Sequence, residues 1–195
     1  MTSTISFYGD STTYGTEFDA ATGLYLPTQT PNNEPAVVGA ALGTTVVNHG
    51  CPGATATNLF WGTGTATSEG DWFTALVNDP SPTLLLNVGL NDLLRDAPGE
   101  YEANLAAMID LAHGFGKTIY VETPNPTTFA DMAPIAQEAR DVATVHGAGV
   151  IDQFAAIQAF VPDWQTHLPD GIHPDDSLYR FKAVIDIMTL LGAFH

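Results

Sequence analysis

An apolar stretch, Ile5 to Tyr8, runs into Gly9-Asp10-Ser11 and stops there. Far downstream, "LPDGIHPDD" sets Asp170 and His173 three residues apart. Between them lie "NHGCPGATATN", with Gly53, and "NVGLND", with Asn91. A hydroxyl, a carboxylate, an imidazole, a side-chain amide and unhindered glycines are the parts of a serine esterase. A serine hydroxyl is a poor nucleophile until a base takes its proton. His173 suits that base, and later the acid for the leaving group. Its second ring nitrogen needs an acceptor that fixes the tautomer and stabilises imidazolium. A tight Asp-Gly-Ile-His turn can fold the Asp170 carboxylate back onto the ring. The tetrahedral oxyanion needs fixed donors, each worth roughly 3–4 kcal/mol. The Asn91 amide, the Gly53 backbone N–H and the N–H of Ser11 itself are the candidates, with Gly50 a rival to Gly53. Asp10 reads as structural, holding backbone N–H groups of the loop.

Alternating strands and helices must position these groups. Ile5 to Tyr8 reads as a first strand and residues 12 to 34 as loop. Pro35 suits the first turn of a helix through about Leu42. "TTVVN" reads as a second strand, Thr55 as the start of a short helix, and "DWFTALVND" as another. "TLLLNVG", bounded by Pro82 and ending in Gly89, is an apolar run that fits a strand buried on both faces. Pro98 to His113 has helical spacing at Tyr101, Leu105, Met108, Ile109 and Ala112, and Gly114 and Gly116 end it. "KTIYVET" is a fourth strand, residues 131 to 146 a helix, and "GAGVID" a short fifth strand. Asp176 to Leu191 closes the chain as a helix, with Tyr179, Val184, Ile187, Met188 and Leu191 available for packing. This alternation predicts an α/β fold, a parallel sheet in a three-layer α/β/α sandwich. In such sheets the site lies beyond the carboxyl ends of the strands. Gly9-Asp10-Ser11, the loop from Asn48, Gly89 to Asp92 and the segment after Val121 all fall there.

The four blocks, in this order and spacing, resemble the SGNH hydrolases, or GDSL-type esterases, over nearly the whole chain. "FYGDST" resembles the nucleophile block, "NHGCPGATATN" the second with Gly53 as its functional glycine, "NVGLND" the third with Asn91, and "PDGIHP" the last with Asp170 and His173. The resemblance implies one domain over residues 1–195 and a five-stranded flavodoxin-like sheet. It also implies ester hydrolysis through an acyl-serine and no metal or organic cofactor. Two features depart from the pattern. The first block reads Gly-Asp-Ser-Thr rather than Gly-Asp-Ser-Leu, a variant similar to the carbohydrate deacetylase branches. "PDDSLYR" after His173 lacks the glycine often found before the aromatic. The nucleophile elbow Gly-x-Ser-x-Gly is absent, which argues against an α/β-hydrolase.

Other chemistry is less well provided for. Cys51, the lone cysteine, has no base indicated for it and no partner for an internal disulfide. His49 and His167 read as surface residues near the motifs. A metal site from His167, Asp170 and His173 would consume the triad. "WGTGTAT" echoes a nucleotide loop but lacks its third glycine and helix context. Trp61, Trp72 and Trp164 read first as core, with a sugar platform the minority role.

The chain has 195 residues, 45% of them apolar, which is enough for one full core. Five basic residues face 22 acidic ones, for a net charge of −17. That field repels phosphate backbones and anionic lipid, so neither nucleic acid nor membrane is an expected partner, and an anionic substrate would need a local exception. No apolar run approaches the roughly 20 residues that span a bilayer. No signal peptide is read at the N-terminus, so the expected address is cytoplasmic for a complete chain, and extracellular or virion-associated for an excised domain. The expected function is hydrolysis of short acyl esters, acetyl above all, on a carbohydrate. Tyr14, Phe18 and Tyr25 are available for contact. A lipase-like or thioester hydrolase for longer chains is the rival, favoured by an apolar groove of Phe60, Leu93, Leu94 or Phe129. A non-catalytic carbohydrate-binding module on the same fold is the rival of another class.

Overall fold

The computed structural model describes residues 4–68, 70–97 and 99–192. Strands β1 (Thr4–Gly9), β4 (Thr45–Gly50), β5 (Thr83–Asn87), β6 (Thr118–Glu122) and β7 (Gly149–Ile151) form one parallel sheet, while β2 (Phe18–Asp19) and β3 (Leu24–Tyr25) make a separate antiparallel hairpin. The sheet order is β4-β1-β5-β6-β7, the flavodoxin-like winding. Its direction reverses between β1 and β5, and the crevice of such a sheet opens there.

The strands alternate their side chains between two cores. Tyr8, Leu84 and Leu86 face one; Ile5, Phe7 and Leu85 face the other. The first is covered by α3 (Ala56–Trp61), α4 (Trp72–Asn78), α6 (Glu100–Gly114) and α7 (Ala133–Val145). The second is covered by α2 (Glu34–Leu42), α8 (Gln153–Phe160) and α9 (Asp176–Leu190). Burial on both faces explains the unbroken apolar run of β5. On α6 the five residues at helical spacing are all buried. Pro98, the expected start of that helix, lies outside the described residues. The expected helix at Pro35 forms with Asn33 as its cap: the Asn33 side chain accepts from the Ala36 N–H.

Two expectations need correction, and two elements were not foreseen. Residues 12 to 34 are not all loop, because they hold α1 (Ser11–Tyr14) and the β2–β3 hairpin. Two short helices, α5 (Asp92–Arg95) and α8, follow strand ends where the sequence shows no clear period. On α9, Tyr179 is buried and Ile187 packs against the second core as expected, but Val184 and Leu191 are exposed, and the inward face also carries Leu178, Lys182, Ala183, Ile185 and Asp186.

The last pair belongs to a buried polar cluster under the carboxyl ends of β5 and β6. Lys182 Nζ lies 3.0 Å from Glu34 Oε2, both side chains fully buried. The Gln153 amide donates to Glu34, to Glu122 and to Asp186, and Asn87 donates to Glu122 at 2.9 Å. Glu34, Glu122 and Asp186 are the one carboxylate trio, among the described residues, close enough to share an ion. The Lys182 ammonium already supplies the positive charge there. Burial lowers the Lys182 pKa, but Glu34 and Glu122 outweigh it and hold the ammonium charged. Burial first, and then Glu34, pushes the Asp186 and Glu122 carboxyls well above the usual range.

The folded protein therefore keeps protons that the unfolded chain releases near about pH 4. Stability from these two groups is fully present below that pH and is lost as pH rises. Asp186→Asn cannot ionise and keeps the acceptor for Gln153. Its urea midpoint is expected to gain on the wild type between about pH 5 and pH 8. A midpoint difference that stays constant over that range contradicts a protonated Asp186.

Candidate functional site

Every block singled out in the sequence meets at the crevice between β1 and β5. Asp10 caps α1 by accepting the Thr12 N–H at 2.8 Å and the Thr12 hydroxyl at 3.0 Å. This fixes Ser11 at the first helical position, where a backbone N–H has no partner within the helix. Two glycines let α1 sit so close to the sheet. A Cβ on Gly9 would lie 2.2 Å from Thr13 Oγ1, and one on Gly50 would lie 2.2 Å from the Tyr14 nitrogen. Burial, partly offset by the Thr12 hydrogen bonds, pushes the Asp10 carboxyl up.

The loop from Asp170 to His173 arrives from the other side. Asp170 Oδ1 accepts the Ile172 and His173 N–H groups at 2.9 and 2.7 Å. Asp170 Oδ2 lies 2.6 Å from His173 Nδ1. Pro174 disfavours helical backbone at His173, and α9 begins only at Asp176. His173 Nε2 then lies 2.9 Å from Ser11 Oγ. Burial raises the Asp170 pKa, but the His173 ring and the two N–H donors outweigh it and hold the carboxyl well below the usual range. It stays a charged acceptor wherever His173 can act as a base. The segment after Val121 backs this loop: Asn125 donates to the Ile172 carbonyl at 3.3 Å, and the Thr128 N–H to that of Gly171 at 2.9 Å.

The expected oxyanion donors line the same pocket. Ser11, Gly53, Asn91 and His173 share a cavity of about 520 Å³. Gly53 has φ +81°, which an L side chain rarely adopts. Its rival Gly50 has its N–H engaged by Asn48 Oδ1 at 2.9 Å. Asn91 Nδ2 donates to the Ala54 carbonyl at 3.0 Å. Its other contact, to Asp10 Oδ2, is long at 3.5 Å, so one N–H is only loosely held.

Three residues have roles that the sequence reading does not assign, although it sets Tyr25 aside for contact and places Asp92 at a strand end. Asp92 is buried and ties the second block to the third, accepting the Ala56 N–H at 2.6 Å and the Gly89 N–H at 2.8 Å. Burial, opposed by those bonds and reinforced by Asp96, pushes its carboxyl up to about 7. Arg95 lines the pocket and donates to the Gly53 carbonyl at 2.7 Å. The Tyr25 hydroxyl donates to Asp170 Oδ2 at 3.2 Å. Asp92 stands inside the third block, Arg95 just after it, and Tyr25 between the first and second, and none of these places names the role.

Several candidates sit elsewhere. His167 pairs with Asp175 (Nδ1–Oδ2 2.9 Å), not with Asp170 and His173, so the trio of a metal site does not assemble. His49 stacks on Tyr8 with ring centroids 4.4 Å apart, in a separate recess. Cys51 is buried. Trp72 is core, donating to the Met108 carbonyl at 2.9 Å. Trp164 packs against the second core and Trp61 is exposed; neither lines the pocket. Of the four residues expected to mark an apolar groove, Leu94 and Phe129 line it, with Leu26, Leu90 and Ile172, while Phe60 and Leu93 do not.

A parallel sheet with a serine, a histidine and a carboxylate in one hydrogen-bonded row at its carboxyl edge has the architecture of a serine hydrolase. A model of the GDSL-like lipase/acylhydrolase family matches residues 7–181. The chain belongs to this family, and it is an esterase of that broad kind. Among curated proteins, none matches the chain. Solved structures with the same fold include a carbohydrate acetylesterase family member from Sinorhizobium meliloti, 19% identical, TM-score 0.74, covering 98% of each chain. Another is a member of the lipolytic protein G-D-S-L family from Veillonella parvula DSM 2008, 19% identical, TM-score 0.71, covering 98% of this chain and 97% of that one. A third is an acetylxylan esterase from Geobacillus stearothermophilus, 19% identical, TM-score 0.69, covering 98% of this chain and 93% of that one.

Asp92 holds two loops at once with acceptors only, and an asparagine can supply just one of those bonds. Asp92→Asn is expected to cost about 1–3 kcal/mol, read from its urea midpoint at unchanged m-value, and to lower kcat. Wild-type stability and turnover in the variant would remove Asp92 from the site's support.

Proposed function

We propose that the protein hydrolyses short acyl esters, acetyl above all, on a carbohydrate, with Ser11, His173 and Asp170 as its catalytic row. The observation that carries the esterase chemistry is the unbroken run from Ser11 Oγ to His173 Nε2 and from His173 Nδ1 to Asp170, opening on a solvent-accessible pocket. Ser11 Oγ attacks the ester carbonyl carbon as His173 Nε2 takes the hydroxyl proton. Asp170 keeps Nδ1 protonated and stabilises the imidazolium. The oxyanion is met by the N–H groups of Ser11 and Gly53 and by Asn91 Nδ2. As the tetrahedral species collapses, the proton on His173 passes to the leaving alcohol oxygen and the acyl group stays on Ser11. A water molecule then gives its proton to His173, its oxygen adds to the acyl carbon, and Ser11 leaves with that proton. No step calls on a cofactor.

The acetyl-carbohydrate part is supported by Thr12 in the first block and by two neighbours of the same fold, one an acetylxylan esterase and one a carbohydrate acetylesterase family member. Tyr14 and Tyr25 line the pocket and offer ring faces to a sugar. One observation favours a second reading, hydrolysis of longer acyl chains. Leu26, Leu90, Leu94, Phe129 and Ile172 form an apolar wall beside Ser11.

Hydrolysis of p-nitrophenyl acetate, butyrate and octanoate by wild type and Ser11→Ala tests both. Acetate is expected to be the best of the three, with Ser11→Ala lowering kcat by at least about 10³-fold. Acetate release from acetylated xylan then tests the carbohydrate. Rates rising towards octanoate move the assignment to the longer-chain reading. An inactive wild type that binds sugar leaves only the binding module.

A further inference from the structure

Tyr25 belongs to none of the sequence blocks, yet the structure sets it against both members of the acid–base pair. We propose that Tyr25 is a positioning residue whose hydroxyl completes the donor shell of the Asp170 carboxylate and whose ring shields the His173 imidazole. This rests on the catalytic row proposed above.

Three of the four hydrogen bonds to Asp170 come from its own turn: the Ile172 N–H, the His173 N–H and the His173 ring. The fourth comes from Tyr25, 145 residues away, and falls on Oδ2, the oxygen that His173 Nδ1 also uses. The phenol is pushed up by burial first and then by Asp170, so it stays a donor through neutral pH. Its ring stands edge-on to the imidazole, with centroids 5.5 Å apart and planes at 81°. Tyr25 is 54% exposed while His173 is 8% exposed. The phenol thus takes the solvent contact that would otherwise reach the imidazole on that side. Phe18, the cross-strand partner of Tyr25, packs edge-on against it at 5.3 Å and steadies the ring from behind.

The chemical consequence has a definite sign. A hydroxyl on Oδ2 takes up part of the carboxylate charge. Without it, the Asp170 carboxylate keeps more of its charge and attracts a proton on the imidazole more strongly. Among the described residues, two further titratable groups interact with this pair: Asp10 with His173 and Tyr179 with Asp170. Neither is altered by a change at Tyr25.

The test is the pH dependence of kcat and KM for acetate release from p-nitrophenyl acetate, in wild type, Tyr25→Phe, Tyr25→Ala and Ser11→Ala. Tyr25→Phe keeps the ring and loses only the hydroxyl. It is expected to move the acid limb of kcat/KM up by about half a pH unit. Tyr25→Ala is expected to show that shift and a several-fold fall in kcat as water reaches the imidazole. An acid limb for Tyr25→Phe that superimposes on the wild type overturns the role of the hydroxyl. Variants that raise KM alone, at constant kcat, make Tyr25 a substrate wall and nothing more. Wild-type rates in Ser11→Ala would instead bring down the catalytic row, and this proposal with it.

Discussion

The close seat of α1 on the carboxyl end of β1 is the constraint from which the rest of the site is built. β1 is hydrogen-bonded on both sides, with Gly9 in register with Gly50 of β4 and Asn87 of β5. A strand held on two flanks cannot shift without breaking both ladders. α1 leaves that strand at once, and the missing side chains of Gly9 and Gly50 let its backbone settle against them. Asp10 then has one task, to cap the helix, and Ser11 has one place to be. The other functional segments are measured from that place. His173 reaches it from the loop before α9, and Asn91 from the loop after β5.

What holds those segments is a set of carboxylates used as acceptors for backbone N–H groups. Asp10, Asp92 and Asp170 each bind N–H groups of a functional loop. A carboxylate is suited to this, because it accepts several bonds and donates none when ionised. The acidity of the chain is thus partly architectural. Only five cations are present, and the described residues give each a fixed contact: Lys182 with Glu34, Arg140 with Asp152, Lys117 with the Asp79 and Ser81 carbonyls, Arg180 with Asn32 and Arg95 with the Gly53 carbonyl.

Much of this was legible in the sequence where the signal was local. The β5 run and the five inward residues of α6 carry their burial in their spacing. Ser11, Gly53, Asn91, Asp170 and His173 stand in short motifs whose residue types name the chemistry; the structure brings four of them to one pocket, with Asp170 hydrogen-bonded to His173 behind it. The rest depended on distant contacts. α1 has four residues and no apolar period; its cap and its seat make it a helix. The β2–β3 hairpin has two residues in each strand, too few for alternation to register. On α8, "QFAAIQAF" is apolar at most positions, so no face stands out. Lys182 and Asp186 look like a solvated helix face until Glu34, Glu122 and Gln153 are placed opposite them. Tyr25 and Asp92 act through residues far away in the chain or through backbone N–H groups, which no spacing rule records.

The two hydrogen bonds of the proposed catalytic row differ greatly in chain separation. Asp170 and His173 are three residues apart, while His173 and Ser11 are 162 apart. The first bond closes within a single turn of the chain; the contact with the nucleophile spans most of the domain, and long loops close only when packing offsets their entropy. Synthesis runs from the N-terminus, so Ser11 and the β1–β4–β5 platform leave the ribosome before the turn that carries Asp170 and His173. A nascent chain that has not yet reached residue 173 therefore holds Ser11 without its proposed base. In the proposed mechanism the serine waits for its base until the loop before α9 is in place beside it.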